Sequence, residues 1–142
     1  MEIAYLAGII DGEGSIHIGK LNITKRRRAY KNPQIVPCIT VEMTDRDIPN
    51  ELQARFGGWV KSRQRHDQIG RKRLYAWGIS SKSGLKTALE ALRPYLHVKR
   101  HHAWLMLEYL ANITVTYQRT APEEQALREG YHWAMRRLNG LP

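Results

Sequence analysis

Ala4, Gly8 and Gly12 recur every fourth residue along and just before a stretch, Leu6 to Gly14, that otherwise reads as a short apolar helix. Residues at that spacing share one helix face. A glycine inside a helix costs about 1 kcal/mol against alanine, so the pair costs about 2 kcal/mol unless the missing side chains bring something in return. What they bring is close approach, because a face without side chains lets another backbone come very near. An ordinary first helix with a glycine cap would account for Gly14 but not for Gly8 and Gly12. Asp11 and Glu13 flank Gly12. The stretch therefore reads as a contact helix that delivers a carboxylate at its end, with Ala4, Gly8, Asp11 and Gly12 on or beside the contact.

The chain's charge narrows what such a helix serves. Its 142 residues carry 23 Lys and Arg against 13 Asp and Glu, a net charge of +10. This excess calls for a polyanion. Lys25, Arg26, Arg27, Arg28 and Lys31 form one cluster; Lys61, Arg63, Arg65, Arg71, Lys72 and Arg73 form another. Both fall in strand-and-turn sequence rather than on an amphipathic helix, which favours nucleic acid over a membrane surface. No apolar run is long enough to span a bilayer, and the first helix begins too early for a signal peptide. The single cysteine, Cys38, excludes an internal disulfide and a cysteine zinc site, and it suits a reducing compartment. The length fits one domain, residues 1–142, with a core over about 3–111 and a last helix over about 120–139.

Periodicity orders the elements. Ser15 to Lys20 alternates as a strand that continues toward Thr24, and a basic loop closes at Asn32-Pro33. Ile35 to Met43 is a second strand, with Ile35, Ile39, Val41 and Met43 inward and Val36, Cys38, Thr40 and Glu42 outward. Pro37 marks an unpaired or irregular position early in it. A helix follows, with Asp47 as its cap, Pro49 in its first turn, and an Ile48–Leu52–Phe56 stripe ended by Gly57-Gly58. Strands over about 59–65 and 73–80 come next; Tyr75, Trp77 and Ile79 face inward, and Ala76 and Gly78 leave room outside. Leu85, Ala88, Leu89 and Leu92 mark a helix stopped at Pro94. Another runs over about 99–111, apolar at Ala103, Trp104, Leu107, Leu110 and Ala111. Thr120-Ala121-Pro122-Glu123 opens the last helix, whose inward stripe is Leu127, Tyr131, Ala134 and Leu138. The order is αββαββ followed by three helices, an α+β chain.

Leu6-Ala7-Gly8-Ile9-Ile10-Asp11-Gly12-Glu13-Gly14 resembles the signature of the LAGLIDADG homing endonucleases, ending as it does in a small residue, an acid and glycine. Leu92-Arg93-Pro94-Tyr95-Leu96-His97-Val98-Lys99 is similar to a second segment of that family. So are Thr44-Asp45 and Phe56-Gly57-Gly58-Trp59-Val60, and the likeness covers about Tyr5 to Leu110. The resemblance implies the αββαββα fold, with a curved four-stranded antiparallel sheet laid along double-stranded DNA, plus additional C-terminal helices. One signature copy implies a homodimer that pairs two such helices. It also implies cleavage of a long pseudo-palindromic site to short 3′ overhangs. Non-cleaving relatives, intron maturases or DNA-binding regulators, are the alternative on the same fold. No membrane and no small-molecule substrate enter this reading.

Phosphodiester cleavage needs phosphate charge neutralised, water activated and the leaving oxygen stabilised. Glu13 is the best carboxylate for Mg²⁺ (Mn²⁺ or Ca²⁺ could take its place), because free carbonyls and the dipole at a helix C-terminus already favour a cation. The Gly12 carbonyl can add an oxygen. Two copies packed through Gly8 and Gly12 would bring two Glu13 side chains together. Asp11 is expected to hydrogen-bond across the helix contact. Lys99 corresponds to the family's transition-state lysine. Asp45 stands where relatives have a polar group on metal-bound water, and it is equally a helix cap. Arg63 or Arg100 would complete the outer catalytic shell. His97, His101 and His102 lack any zinc-site pattern. Base readout falls to Ser15, His17, Thr40, Glu42, Lys61, Arg63 and Arg65, with arginine matched to guanine and an acid to cytosine. Lys25, Arg26, Arg27, Arg28, Arg71 and Arg73 would touch phosphates.

Overall fold

Leu6, Ala7 and Ile10 are fully buried along one side of α1 (Ile3–Glu13), and Ala4, Tyr5, Gly8 and Gly12 are exposed along the other. This computed structural model describes residues 1–21, 33–64, 72–113 and 121–141. The chain turns from α1 into β1 (Gly14–Leu21) at Gly14, where a Cβ would lie 2.7 Å from the Ile10 carbonyl oxygen, so the corner itself requires glycine. Then come β2 (Gln34–Met43), α2 (Asp47–Phe56), β3 (Trp59–Arg63), β4 (Leu74–Ile79) and α3 (Lys82–Leu92). A 3-10 turn at Arg93–Tyr95 leads to α4 (Arg100–Asn112) and α5 (Pro122–Leu138).

The four strands form one antiparallel sheet in the order β1-β2-β4-β3. Ile16, Ile18, Ile35, Ile39, Val41, Trp77 and Ile79 line the face that packs against the helices. They meet Leu6, Ile10, Leu52, Leu85, Leu89 and Met106 in one core. Burying each such Leu or Ile contributes about 1.5–3 kcal/mol. β4 pairs with β2 only from Ile39 onward. Pro37, opposite Ile18, therefore lies where β2 has no partner strand on its β4 side, a position that tolerates a missing N–H. Between α2 and β3 the backbone takes positive φ at Gly57 (80°) and Gly58 (88°), conformations that favour glycine. The Trp77 indole N–H donates to the Gly57 carbonyl at 2.8 Å and ties this turn to the core.

Four local expectations are corrected. The carboxylate that caps α2 is Asp45, not Asp47: its Oδ2 accepts from the Ile48 amide at 2.8 Å. Cys38 points outward by strand alternation yet is buried. Trp104 projects from α4 and is 58% exposed. In α5 the expected apolar stripe faces inward only in part: Tyr131 and Ala134 pack against the core, but Leu127 and Leu138 are exposed and the buried residues are Gln125, His132 and Met135. The cause is what α5 covers. β1 is an edge strand whose unpaired carbonyls need donors. His132 Nδ1–H donates to the Ile18 carbonyl at 2.6 Å, and the Asn139 amide donates to that of Ile16 at 3.1 Å. The Gln125 amide donates to the Pro33 carbonyl just before β2. Thr120, expected to open α5, lies outside the described residues; Ala121 occupies the N-cap.

Candidate functional site

Glu13 ends α1 with its side chain exposed, and the carbonyls of the last helical turn around it have no intrahelical partner. Lys99, the residue before α4, reaches the same corner: its Nζ donates to the Asp11 carbonyl at 2.7 Å. The Lys99 ammonium thus docks on α1 two residues before Glu13, at a helix C-terminus where the dipole favours a cation. Asp45 belongs to the same end of the sheet, since Gly14 pairs with Val41 and β2 ends at Met43.

Asp11 departs from expectation. Its carboxylate is turned into its own chain, accepting from the His97 amide at 2.8 Å and the Lys99 amide at 2.9 Å. Burial alone would raise its pKa; the His97, Lys99 and Val98 amides and the Lys99 charge outweigh that and hold it below the ordinary carboxylate value. Gly8 and Gly12 behave differently from Gly14. A Cβ added at either meets nothing within 4 Å. Nothing in the packing of the described residues requires glycine there. Tyr5 on the same side of α1 and Val98 beside its end are 53% and 69% exposed.

The donors fit a divalent cation only in part. Glu13 and the Gly12 carbonyl are hard oxygen ligands of the kind Mg²⁺ takes. Among the described residues no three His, Cys, Asp or Glu gather to hold a metal.

The outer face of the sheet carries Ser15, His17, Thr40, Glu42, Lys61 and Arg63, as alternation predicts. Their pairings are not those expected. Glu42 and Arg63 form a bidentate ion pair over the small Ala76, with Nε–Oε2 at 3.0 Å and Nη2–Oε1 at 2.7 Å. Glu42 is therefore engaged with a protein cation rather than held out alone for cytosine. Gly78 offers no open room either, because the Trp59 indole lies across it and a Cβ there would strike the ring. Lys61 Nζ sits 4.9 Å from the Trp59 ring centroid. Trp59, 38% exposed, is a member of this face that the sequence reading missed. A tryptophan facing a cross-strand glycine was the available signal. Arg73 donates to Ser62 Oγ at 3.1 Å. Lys25, Arg26, Arg27, Arg28, Arg65 and Arg71 lie outside the described residues.

Of the two outer-shell arginines, Arg63 stands on β3 at the far edge from β1, about 14 Å across by strand spacing. Arg100 directly follows Lys99 and is exposed. At the β1 edge, a cleft of about 550 Å³ runs between β1 and α5, lined by Ser15, His17, Lys20, His132, Arg136 and Asn139. His17 accompanies Ser15 Oγ at 3.3 Å, and burial pushes its pKa down. Nothing in the sequence marked α5 as a wall of this face.

No family model matches the sequence, and no curated protein is detectably similar to it. Solved structures are. The homing endonuclease I-CvuI, in a complex with the I-CreI target in the presence of magnesium in which the DNA is not cleaved, aligns with a TM-score of 0.75 at 24% identity, over 96% of this chain and 80% of that one. The archaeal intron-encoded homing endonuclease I-Vdi141I, complexed with DNA, gives 0.73 at 14% identity, over 96% and 82%. The homing endonuclease I-TnaI gives 0.60 at 18% identity, over 99% and 97%. The fold of this chain is that of the LAGLIDADG homing endonucleases: a four-stranded antiparallel sheet backed by helices, with the signature helix running into its first strand.

Proposed function

We propose that this chain is a member of the LAGLIDADG homing endonucleases that acts as a homodimer, cutting a long pseudo-palindromic site in double-stranded DNA with a divalent cation, Mg²⁺ first among them. The observation that carries this reading is α1. Its outward face presents two glycines that its own chain does not need, and its end presents Glu13 beside Lys99. Two such helices in contact through Gly8 and Gly12 would set two Glu13 carboxylates and two Gly12 carbonyls close together, the ligand number that one chain lacks. The exposed Tyr5 and Val98 flank that contact. The DNA complexes of I-CvuI and I-Vdi141I support nucleic acid as the partner. This chain also spans 45% of the DNA-bound meganuclease I-SmaMI, at a TM-score of 0.69, so two copies make up about one such length.

A bound divalent cation would supply phosphate neutralisation and the acidification of water. Glu13 and Gly12 of each copy would hold it. Lys99 would place its ammonium against charge developing on the phosphate. Asp45, with Oδ2 fixed by the Ile48 amide, would orient water at the rim through its other oxygen. On the sheet, Ser15, His17, Thr40, Glu42, Lys61 and Arg63 would face base edges, and Arg73 with Lys25, Arg26, Arg27, Arg28, Arg65 and Arg71 would serve the flanking bases and phosphates.

The test is incubation of the purified chain with a randomised duplex library in Mg²⁺. Recovery of one family of cut pseudo-palindromes, with short 3′ overhangs, is the expected result. Specific retention of a sequence without cutting, in Mg²⁺ and in Mn²⁺, would assign the chain to the non-cleaving binders instead.

A further inference from the structure

Three hydrogen bonds close a ring between the end of α1 and the start of α4. The Asp11 carboxylate binds two turn positions on either side of Val98, the amides of His97 and Lys99. Lys99 then reaches back, donating from Nζ to the Asp11 main-chain carbonyl. One residue therefore holds Lys99 at both ends, by its amide and by its ammonium. The flexible four-carbon stem between those ends has little freedom left. The amides concerned precede the first turn of α4, where N–H groups lack intrahelical partners, and the accepting carbonyl is in the last turn of α1, where carbonyls lack them. Each helix end thus supplies what the other is missing.

Two other roles for Asp11 fit this geometry poorly. As a ligand for a cation it would have only the lone pairs left beside the amides that its two oxygens already serve at 2.8 and 2.9 Å, on a carboxylate turned toward its own chain. As a contact to a second copy of α1 it would have to turn away from its own chain. We infer that Asp11 is a positioning residue for Lys99, setting the ammonium against the Glu13 end of α1 without itself touching DNA or metal. The inference rests on the endonuclease reading above. It predicts that Asp11 acts on the chemical step through Lys99 and through nothing else.

A double-mutant cycle of Asp11→Asn and Lys99→Ala, measured on a cleaved target at saturating Mg²⁺, tests this. Asn is nearly isosteric and keeps one acceptor oxygen, so the corner can still fold. Asp11→Asn alone should lower kcat by about 10–100-fold, the scale of a misplaced catalytic group, and leave KM and target Kd within about threefold. In a Lys99→Ala background the same change should add less than about twofold. Losses that multiply would show that Asp11 acts independently and would overturn the assignment. In the Glu13→Gln chain, Asp11→Asn should also speed hydrogen exchange at the His97 and Lys99 amides; unchanged protection would overturn it as well. The two readings fail differently. A wild-type chain that cuts no target removes the endonuclease reading and this inference with it. A wild-type chain that cuts, with the two residues independent, removes this inference alone.

Discussion

At the corner of α1 and α4 the polar groups are tied by main-chain bonds. Asp11 binds two amides, and Lys99 binds a carbonyl. On the outer face of the sheet the ties are between side chains: Glu42 with Arg63, Lys61 over Trp59, Arg73 with Ser62. A main-chain tie survives only if the helix ends stay where they are, and it fixes a charge to within fractions of an ångström. A tie between exposed side chains can be exchanged for another without moving a strand, and as a surface ion pair it contributes about 0–1 kcal/mol. Under the endonuclease proposal the division would separate a fixed chemistry at the corner from an exchangeable set of contacts on the sheet face.

Glu13→Gln is the sharpest cut through that comparison. Removing the charge at the end of α1 should lower cleavage on the order of 10³-fold, several kcal/mol of transition-state stabilisation. Because the sheet face is untouched, target affinity in Ca²⁺ should stay within about threefold. Single-turnover cleavage and equilibrium binding on the same duplex measure both. A large loss of affinity would mean that the corner also carries recognition.

Gly8→Leu asks whether the outward face of α1 belongs to the corner's machinery. In a lone chain the new side chain enters open space, and loss of a helical glycine should stabilise the fold by about 1 kcal/mol. Between two paired helices it would overpack the contact on both copies, at about 1–3 kcal/mol each. The sign separates the cases. Sedimentation or mass photometry should show the dimer lost and cleavage lost with it, while the thermal midpoint of the chain does not fall. A variant that is dimeric and active would end the paired-helix argument.

Much of this was legible because it follows from local rules. The α1 glycines, the strand alternation and the Leu85–Leu92 stripe are periodic signals, and the elements they predict are present. What escaped depends on neighbours far along the chain. Leu127, Tyr131, Ala134 and Leu138 form a proper apolar stripe, yet only Tyr131 and Ala134 of it pack on the core, while His132 of α5 and Asn139 just after it turn to the β1 edge because that edge presents carbonyls rather than methyl groups. Asp45 and Asp47 are indistinguishable as caps until the chain's path into α2 is known. The pairing of Glu42 with Arg63 escaped because the register that brings Arg63 diagonally across Ala76 cannot be read from either strand alone.

Glu42→Ala tests the variable side. Losing an exposed ion pair should change stability by less than about 1 kcal/mol. Released from its bidentate partner, Arg63 should discriminate less at one base pair in each half-site, by about 1–3 kcal/mol, with kcat on the best target unchanged. Selection from a library, scored position by position, reads this out. Preferences identical to wild type would remove the pair from the reading face.

Acid separates the two regions by an effect that needs no mutation. Burial holds His17, on the sheet face, below the ordinary imidazole value of 6.5, and His102, under α5, likewise, against a raising contribution from the Leu138 carbonyl. For a group whose pKa is lower folded than unfolded, the unfolded chain binds protons first as pH falls. The stability these rings contribute is therefore whole above pH 6.5 and declines below it. Asp11 follows the same sign at a different pH. Its contribution is whole above 3.8 and is lost only as pH falls through its depressed value. Thermal midpoints should decline modestly between pH 7 and 5, and His17→Gln and His102→Gln should each flatten that decline. The Asp11–Lys99 corner should hold through this range and fail only in stronger acid, seen as loss of protection at the His97 and Lys99 amides. A corner that opens together with the histidines, near pH 6, would show that the two regions are one cooperative unit and not a fixed part joined to an exchangeable one.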